Sequence, residues 1–269
     1  MEIVIPYTPR DWAKELHNST KRWKIVVAHR RSGKTTATLN HLQRDALLTK
    51  SSRFAYVAPT YKQAKGIAWD LLKQYAKVIP GTSFNESELR VDYPNGSRIT
   101  LYGADNPDSL RGIGLWGVVF DEYSQQPSNI FSEIIRPALA DHKGYAIWIG
   151  TPKGKNDFWQ IFDKANDEWL KVLLKASESK IVNQEELEDA KKLMSDDEYA
   201  QEFECSFDAA IKGAYYAEQL NRARIDKRIG TVPYDEMLPV YTWWDLGIGD
   251  ATSIIFMQNY GKEWRMIDY

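Results

Sequence analysis

Apolar residues along this chain fall into short runs separated by longer amphipathic stretches. The runs Lys24-Ile25-Val26-Val27, Arg53 to Ala58, Leu115 to Phe120, Tyr145 to Ile149 and Trp169 to Leu174 are short and largely β-branched or aromatic, and read as strands. Helical patterns lie between them. One runs from Thr36 to Leu48. A second, Tyr61 to Val78, carries apolar positions at Ile67, Leu71, Leu72 and Tyr75. A third, Ile130 to Leu139, is expected to break near Pro137. Leu89 to Tyr93 and Arg98 to Tyr102 flank Pro94-Asn95-Gly96, a hairpin signal. Strands that alternate with helices predict an α/β fold, with a mostly parallel sheet covered on both faces.

The pattern changes after Lys175. Residues Glu178 to Glu204 are charged and helix-favouring, and Leu187, Leu193, Tyr199 and Phe203 supply apolar positions for an ordered helical subdomain, a lid or linker. Gly230 to Pro239 reads as a connector. Val240 to Asp245, Thr252 to Met257 and Glu263 to Ile267 then revert to strand. The expected organisation is a core over 1–175, a helical lid over 176–232 and a further small sheet over 233–269. Three strands alone are too few for a stable domain.

Composition narrows the class. A hydrophobic fraction of 43% and a charged fraction of 27% are those of a soluble globular protein. The net charge of −2 provides no overall basic footprint, so any nucleic-acid contact must be a local patch. The single cysteine, Cys205, excludes an internal disulfide and a Cys-based zinc cluster, and reads as a small core residue. No apolar run reaches membrane-spanning length, and Met1 to Pro6 lacks the features of a signal peptide, so an intracellular setting is expected.

Two motifs carry the chemistry. Ala28-His29-Arg30-Arg31-Ser32-Gly33-Lys34-Thr35 joins a strand to a helix, the context of a P-loop, with Ala28 where the pattern has its first glycine. Backbone N–H groups of Ser32 and Gly33 would wrap the phosphates of ATP at the helix N-terminus. Lys34 would reach the β- and γ-phosphates, and the Thr35 hydroxyl would ligate Mg²⁺. The run Leu115 to Phe120 ends in Asp121-Glu122 and looks like a Walker B strand. Asp121 would hold Mg²⁺ and Glu122 would act as general base on the attacking water. Two carboxylates in these roles point to ATP hydrolysis that drives mechanical work.

Taken together, the motifs resemble the large terminase subunit, the DNA-packaging ATPase of tailed bacteriophages. Tyr7-Thr8-Pro9-Arg10-Asp11-Trp12 looks like the segment that packs on the adenine, with Tyr7 and Arg10 as ATP contacts. Arg30 stands where the family commonly has a P-loop arginine, which implies a charge sensor. Val57 to Ala64 and Asp105 to Gly112 resemble the motifs on either side of the hairpin, and Arg111 looks like a finger that reaches a neighbouring subunit's nucleotide. Ile149-Gly150-Thr151-Pro152 looks like the coupling motif, with Thr151 as γ-phosphate sensor. Trp244 to Ser253 resembles the first strand of the family's RNase H-like nuclease domain. Asp245 would be the first metal-binding carboxylate there, with Asp250 nearby. The family's other ligands would lie beyond Tyr269, so no DNA cleavage is expected from this chain.

The resemblance implies ATP and Mg²⁺ as cofactors. The implied partners are double-stranded DNA, a portal protein, a small terminase subunit and further copies of the chain in a ring on the procapsid, in the host cytoplasm and away from membranes. A helicase-like or repair ATPase and a non-catalytic nucleotide-dependent scaffold are the alternatives. The first lacks strand-separation motifs here, and an intact Glu122 argues against the second.

Overall fold

The computed structural model describes residues 4–208, 217–247 and 252–269. The chain divides into two compact units, Met1–Lys212 and Gly213–Tyr269.

The first unit is built on an eight-stranded sheet. Its strands are β1 (Trp23–Ala28), β2 (Arg53–Ala58), β3 (Ser83–Asn85), β4 (Arg90–Asp92), β5 (Arg98–Gly103), β6 (Gly117–Phe120), β7 (Tyr145–Gly150) and β8 (Trp169–Leu174). Their order is β3-β4-β5-β2-β6-β7-β1-β8. The run from β5 to β8 is parallel, and β3 and β4 add antiparallel strands at one edge. The expected hairpin is the β4–β5 pair. The short β3 strand has no apolar alternation of its own to announce it. Fully buried runs such as Ile25 to Ala28 reflect apolar cover on both faces. Val26, Phe54, Tyr56 and Ile147 belong to one core, and Ile25, Val27, Val118 and Trp148 to the other. Gly103 ends β5 where a Cβ would fall 2.1 Å from the backbone nitrogen of Tyr61. Only glycine fits that approach of the β5 end to the start of the helix that follows β2.

Helices α1 (Asp11–Asn18) and α2 (Lys34–Leu48) bury Trp12, Leu16, Leu39 and Leu42 in the first core. The helix expected over 61–78 is present but composite. It runs from α3 (Tyr61–Gln63) through a π-helical stretch (Ala64–Trp69) into α4 (Asp70–Ala76). The wide turn shifts the helical phase. The buried face is therefore Ala64, Ala68, Trp69 and Leu72, and Ile67 is exposed rather than apolar-side. A second π-helical stretch (Ile130–Ile135) leads into α5 (Arg136–Ala138), so the helix does not break at Pro137; the irregular turn accommodates the missing donor. Helix α6 (Asp157–Lys164) begins at Asn156, whose side chain accepts from the N–H groups of Phe158 and Trp159.

Three short helices follow: α7 (Ala176–Ser179), α8 (Gln184–Leu193) and α9 (Asp196–Glu202). They belong to the first unit, so the division lies at Lys212 rather than at 175 or 232. The physical reason is visible at the joint. Ala176 N–H bonds to Phe203 O, and buried Cys205 donates to Leu174 O at the end of β8. Burial pushes the Cys205 thiol up to about 12, in keeping with a core residue. Leu187 is buried as expected, but Leu193 is exposed at the end of α8.

The second unit contains α10 (Ala217–Ile225) and an antiparallel sheet of β9 (Val240–Asp245), β10 (Ser253–Asn259) and β11 (Trp264–Asp268), ordered β11-β10-β9. Asp245 closes β9 opposite Ser253. Asp250 lies outside the described residues. Among the described residues, no helix is long and apolar enough to cross a membrane.

Candidate nucleotide site

The sheet brings three loops to one edge. Strands β6, β7 and β1 are neighbours, and the segments Asp121-Glu122, Thr151 and Ala28 to Thr35 follow their C-terminal ends. This is where open α/β sheets place their ligand sites.

The P-loop is a left-handed cradle. Arg31 has φ 64° and Gly33, at the N-cap of α2, has φ 86°. Lys34 is buried and its Nζ donates to the carbonyls of Ala28 at 2.7 Å and His29 at 3.2 Å. Trp12 donates its indole N–H to Ser32 O, and Arg10 donates to Arg31 O at 2.9 Å. The N-terminal segment therefore braces the loop. The Ser32 hydroxyl is buried with no hydrogen-bond partner among the described residues. An orphaned hydroxyl donor just before the N-terminus of α2 suits a phosphate oxygen.

Asp121 and Thr35 meet across the site, with Thr35 Oγ1 3.5 Å from Asp121 Oδ2. Burial pushes the Asp121 carboxyl up to about 6, with the neighbouring Glu122 charge adding to the rise. Tyr56 on β2 donates its hydroxyl to the same oxygen, and Gln126 donates to the Asp121 carbonyl at 2.7 Å. A hydroxyl and a buried carboxylate are hard oxygen donors that fit Mg²⁺. Glu122 sits in the left-handed region at φ 45°, which is uncommon for a non-glycine residue and turns it away from the strand line. Its carboxylate accepts from Thr151 Oγ1 at 3.2 Å. Ser124 Oγ donates to Thr151 O, and Asn156 donates to Ser124 O. The β7 end is thus tied through the Glu122–Ser124 turn to the start of α6.

A cavity of about 220 Å³ lies beside the loop, lined by Tyr7, Arg10, Trp12, Gly33, Thr36 and Tyr75. Its aromatic walls suit a planar base. Tyr7 is held there by its hydroxyl, 2.9 Å from His17 Nε2, and burial raises its pKa to about 12. His17 in turn stacks on His41.

Not every nominated residue points inward. The Arg30 side chain is largely exposed and pairs with Glu202 at 2.9 Å, while its N–H bonds to Glu202 O. His29, buried beneath it, hydrogen-bonds Ser179 Oγ at 2.8 Å. These contacts join the P-loop to α7 and α9. Arg111 is exposed and pairs with Asp108 at 2.7 Å. Asp245 is exposed, and among the described residues no group of three or more His, Cys, Asp or Glu could hold a metal. The sequence reading missed Tyr56, Gln126 and His29. The one signal available for Tyr56 was a polar-tipped aromatic inside an otherwise apolar strand.

Residues 25–224 match the family described as terminase large subunit, T4likevirus-type, N-terminal. The large terminase subunit of Thermus virus P23-45 is 30% identical over 178 residues, which are 59% of this chain and 37% of that protein. That of Escherichia phage T5 is 27% identical over 204 residues, 71% of this chain and 45% of the relative. The aligned region thus spans less than half the length of these relatives. Among solved structures, the ATPase domain of the Thermus phage P74-26 large terminase superposes with a TM-score of 0.67 and 25% identity, covering 76% of this chain and 95% of that one. A large terminase from a thermophilic bacteriophage, solved in complex with ADP, shares the fold at 16% identity, with a TM-score of 0.63, covering 94% of this chain and 66% of that one.

Proposed function

Because the chain belongs to the T4likevirus-type terminase large-subunit family, we propose that it is an ATP-hydrolysing motor subunit that moves double-stranded viral DNA into a procapsid. The observation that carries the reading is the convergence of Lys34, Thr35, Asp121, Glu122 and Thr151 at the C-terminal ends of three adjacent strands. The P74-26 relative is an ATPase domain by name, and the thermophilic-phage relative was solved with ADP.

Each residue has a definite task in this reading. Lys34 turns from the loop carbonyls to the β- and γ-phosphates. Ser32 and Gly33 offer their N–H groups, and the Ser32 hydroxyl gains an acceptor. Tyr7 and Tyr75 flank the base, and Arg10 holds Arg31 in its left-handed conformation. Thr35 and Asp121 would hold Mg²⁺, which when bound offsets the negative charge of the phosphates. Glu122 takes the proton of the attacking water. Thr151, bonded to that carboxylate, reports the phosphate state to Ser124, Asn156 and α6. Arg30 and His29 link the P-loop to α7 and α9, a second route by which occupancy can reach the helical segment.

The remaining roles extend the same proposal from the resemblance of the motifs. Arg111 acts on a neighbouring subunit's nucleotide in a ring, with portal protein and small terminase subunit as further partners in the host cytoplasm. The second unit takes the part of an RNase H-like nuclease sheet, with Asp245 as a metal-binding carboxylate. The test is turnover with and without DNA. Wild-type chain should release phosphate from Mg·ATP, and Glu122→Gln should bind ATP without releasing it. Nucleotide binding with no phosphate release from assembled wild type would favour the scaffold reading.

A further inference from the structure

Strand β1 alternates between two cores, with Val26 and Ala28 facing the α1–α2 layer. Lys24 shares their parity, so the alternation assigns an apolar side chain to its position. Yet it is a lysine, only 3% exposed. Among the described residues none forms a hydrogen bond or ion pair with its ammonium, which stands 4.5 Å from the centre of the Tyr145 ring. Burial lowers its pKa to about 8, against a weaker opposing pull from Asp45. The buried Tyr145 hydroxyl faces the Asp45 carboxylate rather than the ammonium. An ammonium buried without a directly paired counter-charge is costly, and a bound anion would remove that cost.

Both groups line a cavity of about 260 Å³ with Lys21, Arg22, Arg44 and Lys143 in its walls. The acid among the lining residues, Asp45, is already paired with Arg44 at 2.9 Å. Burial and the nearby Lys24 and Arg44 charges hold His41, 3.6 Å from Asp45, well below its usual range. The cavity therefore carries a clear excess of positive charge in a protein whose net charge is −2. It is formed by residues at the N-terminal ends of β1 and β7 and the C-terminal end of α2. The P-loop occupies the opposite end of both β1 and α2, so the two sites are separate.

We propose that this cavity is a second anion site, which takes a phosphate group of the nucleic-acid backbone at the end of the sheet opposite the nucleotide. The backbone as the source of the phosphate rests on the DNA-motor reading; the pocket itself does not. The cavity is also joined to the base pocket: His41 Nδ1 lies 3.1 Å from His17 Nδ1, and His17 Nε2 lies 2.9 Å from the Tyr7 hydroxyl. Occupancy at one end of α2 can thereby be felt at the other.

The test uses the full chain saturated with Mg·ADP, so that the P-loop is occupied. Inorganic phosphate and a short duplex DNA are titrated separately into wild type, Lys24→Met and the exposed-site variant Lys143→Glu, the duplex at several salt concentrations. Loss of one phosphate contact should reduce the salt slope of duplex binding by about 0.9 in Lys24→Met, with phosphate binding weakened in parallel. Weakened phosphate binding with an unchanged duplex slope would support the pocket and identify a free phosphate anion as its ligand. Unchanged binding of both probes in folded Lys24→Met and Lys143→Glu would overturn the proposal. Lys143 is exposed, so its variant decides the matter even if Lys24→Met does not fold. Failure of wild type to bind duplex at all would count against the motor reading, while the phosphate titration still decides the pocket.

Discussion

Thr151 donates twice to one oxygen of Glu122, from its hydroxyl at 3.2 Å and its N–H at 3.4 Å. The Glu122 carboxylate, the proposed general base, is therefore aimed by the end of the neighbouring strand. Removing the hydroxyl while keeping the shape, in Thr151→Val, should leave ATP affinity near wild type and slow turnover. A lost hydrogen bond to a charged group is worth about 1.5–3 kcal/mol, which corresponds to roughly 10- to 100-fold in rate. Single-turnover phosphate release beside equilibrium ATP binding checks it. Equal loss of affinity and rate would mean that Thr151 only holds the fold.

The two acids and the lysine should separate by assay. Lys34→Ala should weaken ATP binding by about 1.5–3 kcal/mol and abolish turnover. Glu122→Gln should retain binding and lose about 10²–10⁴ in hydrolysis. Asp121→Asn should lose the Mg²⁺ dependence of binding. If both acid substitutions abolished binding alike, the division of roles between neighbouring residues would be wrong.

The buried Asp121 makes stability depend on pH. Its folded pKa is raised to about 6 from 3.8, so the native state holds a proton that the unfolded chain has lost across this window. The contribution is present below about pH 4 and is lost as pH rises through about 6, for a difference of about 3 kcal/mol. Asp121→Asn should therefore be more stable than wild type at pH 7.5 and no more stable at pH 4, as read by urea unfolding without metal. An Asn variant less stable at pH 7.5 would show that Tyr56 and the Glu122 N–H stabilise the ionised form more than burial destabilises it.

How far the sequence disclosed this arrangement depends on the kind of signal. Local ones were legible. The P-loop lies between a strand and a helix, and Asp121-Glu122 ends a buried strand, because backbone geometry and residue type are set together at those points. Long-range ones were not. Nothing near Tyr56 in sequence announces that its hydroxyl reaches Asp121, 65 positions away. Nor does the P-loop position that makes Arg30 resemble a charge sensor disclose its partner, Glu202, on a helix far along the chain. Ile67 failed for a different reason, since a π-turn adds a residue to the helical period and moves the apolar face. Helix α6 was hidden because its start depends on the Asn156 cap more than on a long apolar stripe.

Arg111 remains the strongest test of assembly. It is exposed, and its only ion-pair partner among the described residues is the still more exposed Asp108, three residues away. Surface pairs of this kind contribute roughly 0–1 kcal/mol and are easily exchanged for a phosphate. If Arg111 acts across a subunit boundary, Arg111→Ala should bind ATP normally and lose turnover only in the assembled state, where such a finger supplies up to about 10³–10⁵ in rate. Mixed with Glu122→Gln subunits, it should regain activity. Interfaces that pair an intact Glu122 with an intact neighbouring Arg111 form only in the mixture, whereas each variant alone has none. The recovered rate should pass through a maximum as the mixing ratio varies. A flat, inactive profile in rings shown to contain both subunits would assign Arg111 a structural role in its own chain.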